Sequence, residues 1–192
     1  MDILEITIRG KLAHFRKYYG NNTAFSFSIP PRTTLMGMVA AMMGWQRDTY
    51  YEKLASENIR FAVRVLSPVK KSFQRLNFLS VKSLGDFSKG WNSDFRGQGG
   101  RIQTPFEIVS GLNIAKDEVG YQLFIAATEK GKSIFEDIKS HCLHKPPVYN
   151  LSFGTANFQA AIDQIHLIPD DKVSSQSLDD FVLLHSAVPS EQ

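Results

Sequence analysis

The chain has 192 residues, 43% of them apolar and 21% charged, with a net charge of +3, which suits one globular domain with a substantial core. No apolar run reaches the roughly 18–20 residues of a membrane span, "MDILEITIRG" is acidic at position 2 and alternating rather than a secretory leader, and the single Cys142 excludes an internal disulfide framework and suits a reducing cytoplasm. Residues 1–105 hold 16 Lys+Arg against 7 Asp+Glu, residues 106–192 hold 6 against 12, and all nine arginines lie between Arg9 and Arg101, so a basic face for a polyanion and a second face for something else are expected, with chance plus an acidic tail as the competing reading.

Residues 2–12 alternate with period two: Leu4, Ile6 and Ile8 face one side, Glu5, Thr7, Arg9 and Lys11 the other. That is a half-buried strand. "AHFRKYYGNNTAFSFSI" reads as a polar, aromatic loop with a turn at Gly20-Asn21-Asn22. "FSIPPRTTLMGMVAAMMG" then leads into an apolar helix from about Thr34 to Met43, stopped by Gly44. Pro30 and Pro31 suit the approach to a helix, and Thr33 or Thr34 can cap it. The helix N–H groups beside Arg32 would welcome a phosphate; the competing reading is a capped core helix with a solvated arginine. Gly37 would let another backbone approach the helix. A short helix is predicted near residues 48–57, and "IRFAVRVL", residues 59–66, is a strand with Arg60 and Arg64 on one face.

Residues 70–104 mix base, aromatic and glycine and predict a long hairpin arm with its tip at about residues 86–101. Within it Lys89, Trp91, Phe95, Arg96 and Arg101 combine cations with stacking surfaces, as single-stranded nucleic acid requires; a basic loop without a ligand is the competing reading. "HFRKYY", residues 14–19, alternates base and aromatic beside the first helix and is a third candidate, opposed by an exposed loop with its aromatics tucked inward. "PFEIVSGL" and "VGYQLFIAAT" predict two further strands. "SIFEDIKSHCL" predicts a helix with a Ser133–Glu136 capping box and Ile134, Phe135, Ile138 and Cys142 on one face. "VYNLSF", a turn at Gly154, a short helix capped by Thr155 or Asn157, and a strand at "QIHLI" follow. The order points to an α+β fold with a ferredoxin-like core at residues 1–168. Residues 169–192 form a polar, acidic tail apart from "FVLLH", residues 181–185.

Catalytic and metal signals are weak. "HCLH", residues 141–144, matches no structural zinc pattern, and no cofactor is expected. No phosphate-binding glycine loop, nucleophile elbow or aromatic RNP motif occurs. His14 could serve as a general base, although a lone loop histidine is a poor indicator of one. The catalytic alternative is a metal-independent endoribonuclease in which His14, Tyr18 or Tyr19 and a lysine of the arm activate a 2′-hydroxyl. A protein-only scaffold with a basic surface is a third reading.

Residues 13–50 resemble the amino-terminal signature of the Cas-five family of CRISPR-associated proteins, RAMP-superfamily subunits of the Cascade surveillance complex. The matching features are the Phe-Arg after the first strand, the serine-rich approach, Pro-Pro-Arg-Thr, and the glycine-bearing apolar helix. "TPFEIVSG" and "YNLSFGTANFQAAI" resemble later family segments. The resemblance, closest to a type I-B-like member, implies a modified ferredoxin-like (RRM-like) fold with a long β-hairpin thumb. It further implies binding of the crRNA 5′ handle, contact with the backbone and large subunits of Cascade, and an indirect relation to target DNA. Carried over by position, Phe15, Arg16 and Lys17, with Arg32, Thr33 and Thr34, fall where the family meets the handle, and residues 86–101 fall on its thumb. The chain is short for the family, so a reduced or absent carboxyl-terminal subdomain is expected. It also lacks the Lys-His pair of the family branch that cleaves pre-crRNA, so a non-catalytic role in the cytoplasm is expected.

Overall fold

The computed structural model describes residues 1–20, 23–79 and 101–174. In chain order the elements are β1 (Ile3–Gly10), β2 (Leu12–Ala13), β3 (Phe15–Arg16), β4 (Ser26–Phe27), α1 (Arg32–Met43), β5 (Ile59–Val65) and β6 (Val69–Leu79). There follow β7 (Arg101–Gly111), β8 (Val119–Ala127), α2 (Lys132–His144), β9 (Leu151–Ser152) and β10 (Gln159–Ile168), with a closing 3-10 turn at Asp170–Lys172. Among the described residues it is an α+β arrangement of mainly antiparallel sheet and two α-helices.

The main sheet runs β5-β8-β1-β10-β9, every neighbouring pair antiparallel. Period-two alternation sends Leu4, Ile6 and Ile8 of β1 and Phe61 and Val63 of β5 to one face, where they are buried with Leu123 and Ile125 of β8. Burying each such side chain contributes about 1.5–3 kcal/mol. The two helices close over that face: Leu35, Val39 and Met42 of α1 and Phe135, Ile138 and Cys142 of α2 share one core cluster with the strands. Among the expected core positions of α2, Ile134 is partly rather than fully buried. Arg60 and Arg64 stay exposed on the other face, as the alternation predicts.

A second sheet runs β2-β7-β6. β6 and β7 pair without a break from Val69↔Gly111 to Leu79↔Arg101, so they form a long hairpin. "PFEIVSGL" is a strand as expected, but it starts four residues earlier, at Arg101, and is the returning half of that hairpin. Pairing persists because the pattern stays compatible with a strand on both sides of Pro105, which opposes Arg75. β3 and β4 form a two-stranded ribbon, Phe15↔Phe27 and Arg16↔Ser26, so the predicted loop at residues 13–29 is partly strand.

Several local expectations give way. Residues 48–57 form consecutive turns rather than a helix, with Asp48 at φ 64° and single bonds such as Leu54 N–H to Tyr50 O. α1 begins two residues early, at Arg32: Pro31 is the cap residue, and neither threonine caps, because both lie inside the helix. The Pro31 carbonyl instead accepts from the N–H groups of Thr34 and Leu35. α2 is entered through Gly131 with no side-chain cap, so the Ser133–Glu136 box does not form. Glu136 pairs with Lys139 instead. Residues 154–158 are a turn with no helix, and the last strand begins at Gln159, five residues before "QIHLI". Gly44 ends α1 with φ 71°, as expected of a left-handed C-cap.

Candidate nucleic-acid interface

The base of the hairpin is organised around a buried carboxylate. Glu107, on β7, is 6% exposed. It accepts from the Ser26 N–H at 2.8 Å, and Lys71 of β6 lies 3.2 Å away in an ion pair. Lys71 also reaches the Ser26 carbonyl at 3.4 Å. The Ser26 hydroxyl accepts from the Phe15 N–H at 2.9 Å, so hairpin, β3 and β4 are locked together. A carboxylate buried without these partners would be strongly destabilising.

His14 belongs to this structural cluster. It is 1% exposed, and its Nδ1 lies 2.7 Å from the Glu107 carbonyl. A carbonyl only accepts, so Nδ1 carries the proton and Nε2 keeps a lone pair, buried without a partner among the described residues. The ring stacks on Phe106 with centroids 3.9 Å apart. Burial holds the pKa below its ordinary value; the bond to the Glu107 carbonyl opposes that effect, and nearby Arg16 adds to it. The imidazole is thus a neutral, packed group with no access to a substrate. Phe15, also 1% exposed, packs edge-on against Tyr121 and Phe153.

From Arg16 onward the side chains turn outward. Arg16, Tyr18 and Tyr19 are exposed. Lys17 sits 5.3 Å from the ring centres of both Tyr19 and Phe27, and its hydrogen bond with Tyr19 raises its pKa. The Lys17 N–H donates to the Phe25 carbonyl at 2.9 Å, which draws Phe25 back beside the hairpin. There Phe25 meets Phe73 of β6 edge-on at 5.9 Å. Alternate residues of a strand share a face, so Lys71, Phe73 and Arg75 line one side of β6. Phe73 is 53% exposed and Arg75 is open to solvent. The hairpin base thus carries both cations and aromatic faces: Lys17 beside Tyr19 and Phe27, Phe25 against Phe73, Arg75 on the same side of β6 as Phe73, and Arg16 exposed next to Lys17 in sequence. Phe25, Phe73 and Arg75 were not candidates from sequence, although the alternation of "KKSFQRLNF" carries the signal.

The helix mouth is built differently. Arg32 folds back on the chain: its Nη2 donates to the carbonyls of Leu54 at 2.7 Å and Ile59 at 2.9 Å, and its guanidinium lies 5.1 Å from the Phe61 ring. It buttresses the turns before β5 and is only partly exposed. Thr33 is exposed on the first turn of α1. Thr34 lines a groove of about 250 Å³ between α1 and the β9 region, with Gly37, Met38, Ala41, Asn150, Leu151, Ser152 and Gly154. Among the described residues no backbone outside the helix approaches Gly37; a Cβ there would meet the Tyr50 hydroxyl, at 3.5 Å. Gly154, at φ 90°, presses against the His14 carbonyl so closely that any Cβ would collide with it.

Lys89, Trp91, Phe95 and Arg96 lie outside the described residues, as does the side chain of Arg101, whose backbone pairs with Leu79. The hairpin tip at residues 86–101 and most of the tail likewise lie outside the description, except for the backbone of residue 101. "HCLH" does not converge: Cys142 faces the core with its thiol pKa pushed up to about 11 by burial, while His144 bonds the Ser140 carbonyl. Among the described residues no cluster of three metal-ligating side chains exists. No helix among them is long and apolar enough to cross a membrane.

Residues 3–181 match the model of a family described as CRISPR-associated protein (Cas_Cas5). No curated protein matches the chain at a significant level. Among solved structures, a chain of a CRISPR RNA-guided surveillance complex is similar, with 16% identity, a TM-score of 0.51, and coverage of 80% of this chain and 58% of that one. A Cas protein crystal structure shares 14% identity at a TM-score of 0.46, covering 92% of this chain and 67% of that one. A CRISPR protein from Archaeoglobus fulgidus shares 15% identity at a TM-score of 0.47, covering 88% and 62% respectively. This chain therefore spans between 58% and 67% of the lengths of these structures.

Proposed function

This chain belongs to the Cas_Cas5 family of CRISPR-associated proteins, and on that premise we propose that it is a non-catalytic, RNA-binding subunit of a Cascade-type surveillance complex. Its ligand is the 5′ handle of crRNA, and it joins the backbone and large subunits in the cytoplasm, meeting target DNA only through the guide. The order β5-β8-β1-β10, with α1 after β1 and α2 after β8, supports a ferredoxin-like reading of the core. The β6–β7 hairpin is, on this reading, the stem of a thumb.

The observation that carries the proposal is the set of cations and rings at the hairpin base. Arg16, Lys17 and Arg75 supply cations to phosphates, and Phe25 and Phe73 offer faces on which bases stack. Such a surface binds single-stranded RNA through charge and stacking without chemistry on the RNA. The nuclease alternative loses support because its general base would be His14, which is sealed in the core. A general base must come within hydrogen-bond reach of the proton it removes.

Incubating the protein with repeat RNA in the presence of a chelator tests the reading. Bound, uncut RNA is expected. A discrete product would make the protein a nuclease, and RNA left unbound would favour a scaffold that meets only protein.

A further inference from the structure

We propose that the outer edge of β5 is a docking site for an extended, acidic segment of another protein, which joins the main sheet as an added strand. The proposal goes beyond the RNA-binding reading and does not depend on it. β5 is the last strand on its side of the main sheet. The Asn58 carbonyl accepts from the Thr128 N–H, and the Leu66 N–H donates to the Gly120 carbonyl. Residues of a strand turn their main-chain groups alternately to the two sides. Residues 60, 62 and 64 therefore face β8, and Phe61, Val63 and Val65 turn theirs outward. Ile59 shows the same parity, because its carbonyl accepts from Arg32. Among the described residues nothing pairs with the outward N–H and carbonyl groups of Phe61, Val63 and Val65.

The side chains define the partner's chemistry. Arg60 and Arg64 are exposed on the sheet face away from the helices, on either side of Ala62. Four residues of strand set them about 13 Å apart. Neither has an ion pair or hydrogen bond among the described residues. Opposite them on β8 stand Ala126 and Gln122, and Gln122 already donates to Glu5 at 2.7 Å. In an antiparallel strand added outside β5, the residues facing Arg60, Ala62 and Arg64 occupy the close, non-hydrogen-bonded positions, and carboxylates there pair across the strands with the arginines. The complement is acid, apolar, small or polar, apolar, acid, with its apolar pair beside Phe61 and Val63.

This chain does not supply that pattern. Its one pair of acids four residues apart is Asp48 and Glu52, in the turns before β5, where Asp48 has φ 64°. A second copy fits poorly too, because two β5 edges paired with each other gather four arginines on one face without a carboxylate between them. RNA phosphates would meet the arginines but leave the main-chain groups of the edge unmatched. An acidic peptide strand satisfies both. The occupant is therefore a segment of a different protein.

The test titrates the full chain with two synthetic peptides, Thr-Glu-Val-Thr-Val-Glu-Thr and the same sequence with lysine for glutamate, and follows amide hydrogen exchange in β5. The glutamate peptide is expected to bind about tenfold more tightly than the lysine peptide, the scale of two cross-strand charge pairs. It should also slow exchange at Phe61, Val63 and Val65. Arg60→Glu with Arg64→Glu, both at the surface, should reverse the preference. Methylating the two valine nitrogens of the glutamate peptide, which face the β5 edge, keeps the charges and should abolish binding. Binding of neither peptide, equal affinity for both, a preference that survives the double variant, or binding of the methylated peptide overturns the proposal. Slowed exchange at the same amides with single-stranded RNA and with neither peptide assigns the arginines to nucleic acid and overturns the docking site.

Discussion

Residues 30–34, Pro-Pro-Arg-Thr-Thr, and residues 15–19, Phe-Arg-Lys-Tyr-Tyr, are both basic stretches beside a regular element, and the fold treats them oppositely. At the helix mouth, Arg32 is drawn inward by the carbonyls of Leu54 and Ile59 and by the Phe61 ring. In the second stretch only Phe15 is buried, and the cations and tyrosines after it stand at the surface. The difference lies in the neighbouring backbone. The turns at residues 48–58 and the first residue of the edge strand β5 present the carbonyls of Leu54 and Ile59 to Arg32, and a guanidinium with five donors satisfies such acceptors well. β3 and β4 satisfy each other's backbone, and the Phe15 N–H is met by Ser26, so Arg16 and Lys17 have no such demand on them.

The largest expected effect is on the inward side. Arg32→Ala removes charge-assisted bonds to two main-chain carbonyls and should cost about 2–3 kcal/mol of stability, read from denaturant unfolding. The salt slope of RNA binding by the protein that remains folded should not change. A stable variant with a reduced slope would reverse the comparison and return the helix mouth to the role of an anion site.

On the outward side, Phe73→Ala should leave stability nearly untouched. It should weaken single-stranded RNA binding by about 1–3 kcal/mol with the salt slope unchanged, because stacking carries no charge. An unaltered affinity would remove Phe73 from the interface. Arg75→Ala and Lys17→Ala should each lower the slope of log affinity against log salt by about one unit if each meets one phosphate. Equal slopes across the series would show that these cations do not contact the RNA backbone.

The smallest effect sharpens the boundary between the two regions. Burial lowers the His14 pKa below its ordinary 6.5. Below pH 6.5 the unfolded chain takes up a proton that the folded chain refuses, so stability should fall with decreasing pH toward the lowered folded pKa. Above 6.5 this contribution is complete. Thermal melts between pH 7.5 and 5 should show the decline, and His14→Phe should remove that part of it. An identical pH profile in the variant would mean that His14 does not titrate differently in the folded state.

Local pattern made much of this protein legible. The alternation of residues 2–12 and 59–66 and the apolar face of residues 134–142 were sufficient for their elements, because burial on one face imposes a period of two or 3.6 whatever the partner. The hairpin was read from the mixture of base, aromatic and glycine over residues 70–104, with alternation only at its ends, and the family resemblance was carried by residues 13–50. Caps were not. Ser133–Glu136 has the spacing of a capping box, yet Glu136 has Lys139 three residues away, and Gly131 already supplies the entry to α2.

What the sequence determined by itself was most of the long strands and the two long helices, the α+β class and the abundance of base and aromatic in the first hundred residues. Only the tertiary structure decided which of those side chains face outward. His14 and Arg16 are two residues apart on one short segment, yet one is stacked on Phe106 beneath the hairpin and the other is in water. Phe25 and Phe73 are 48 residues apart and touch. A side chain's exposure depends on which distant backbone and rings come to lie against it, and those contacts arise from strand pairings such as Ala24 with Phe106 that local periodicity does not encode.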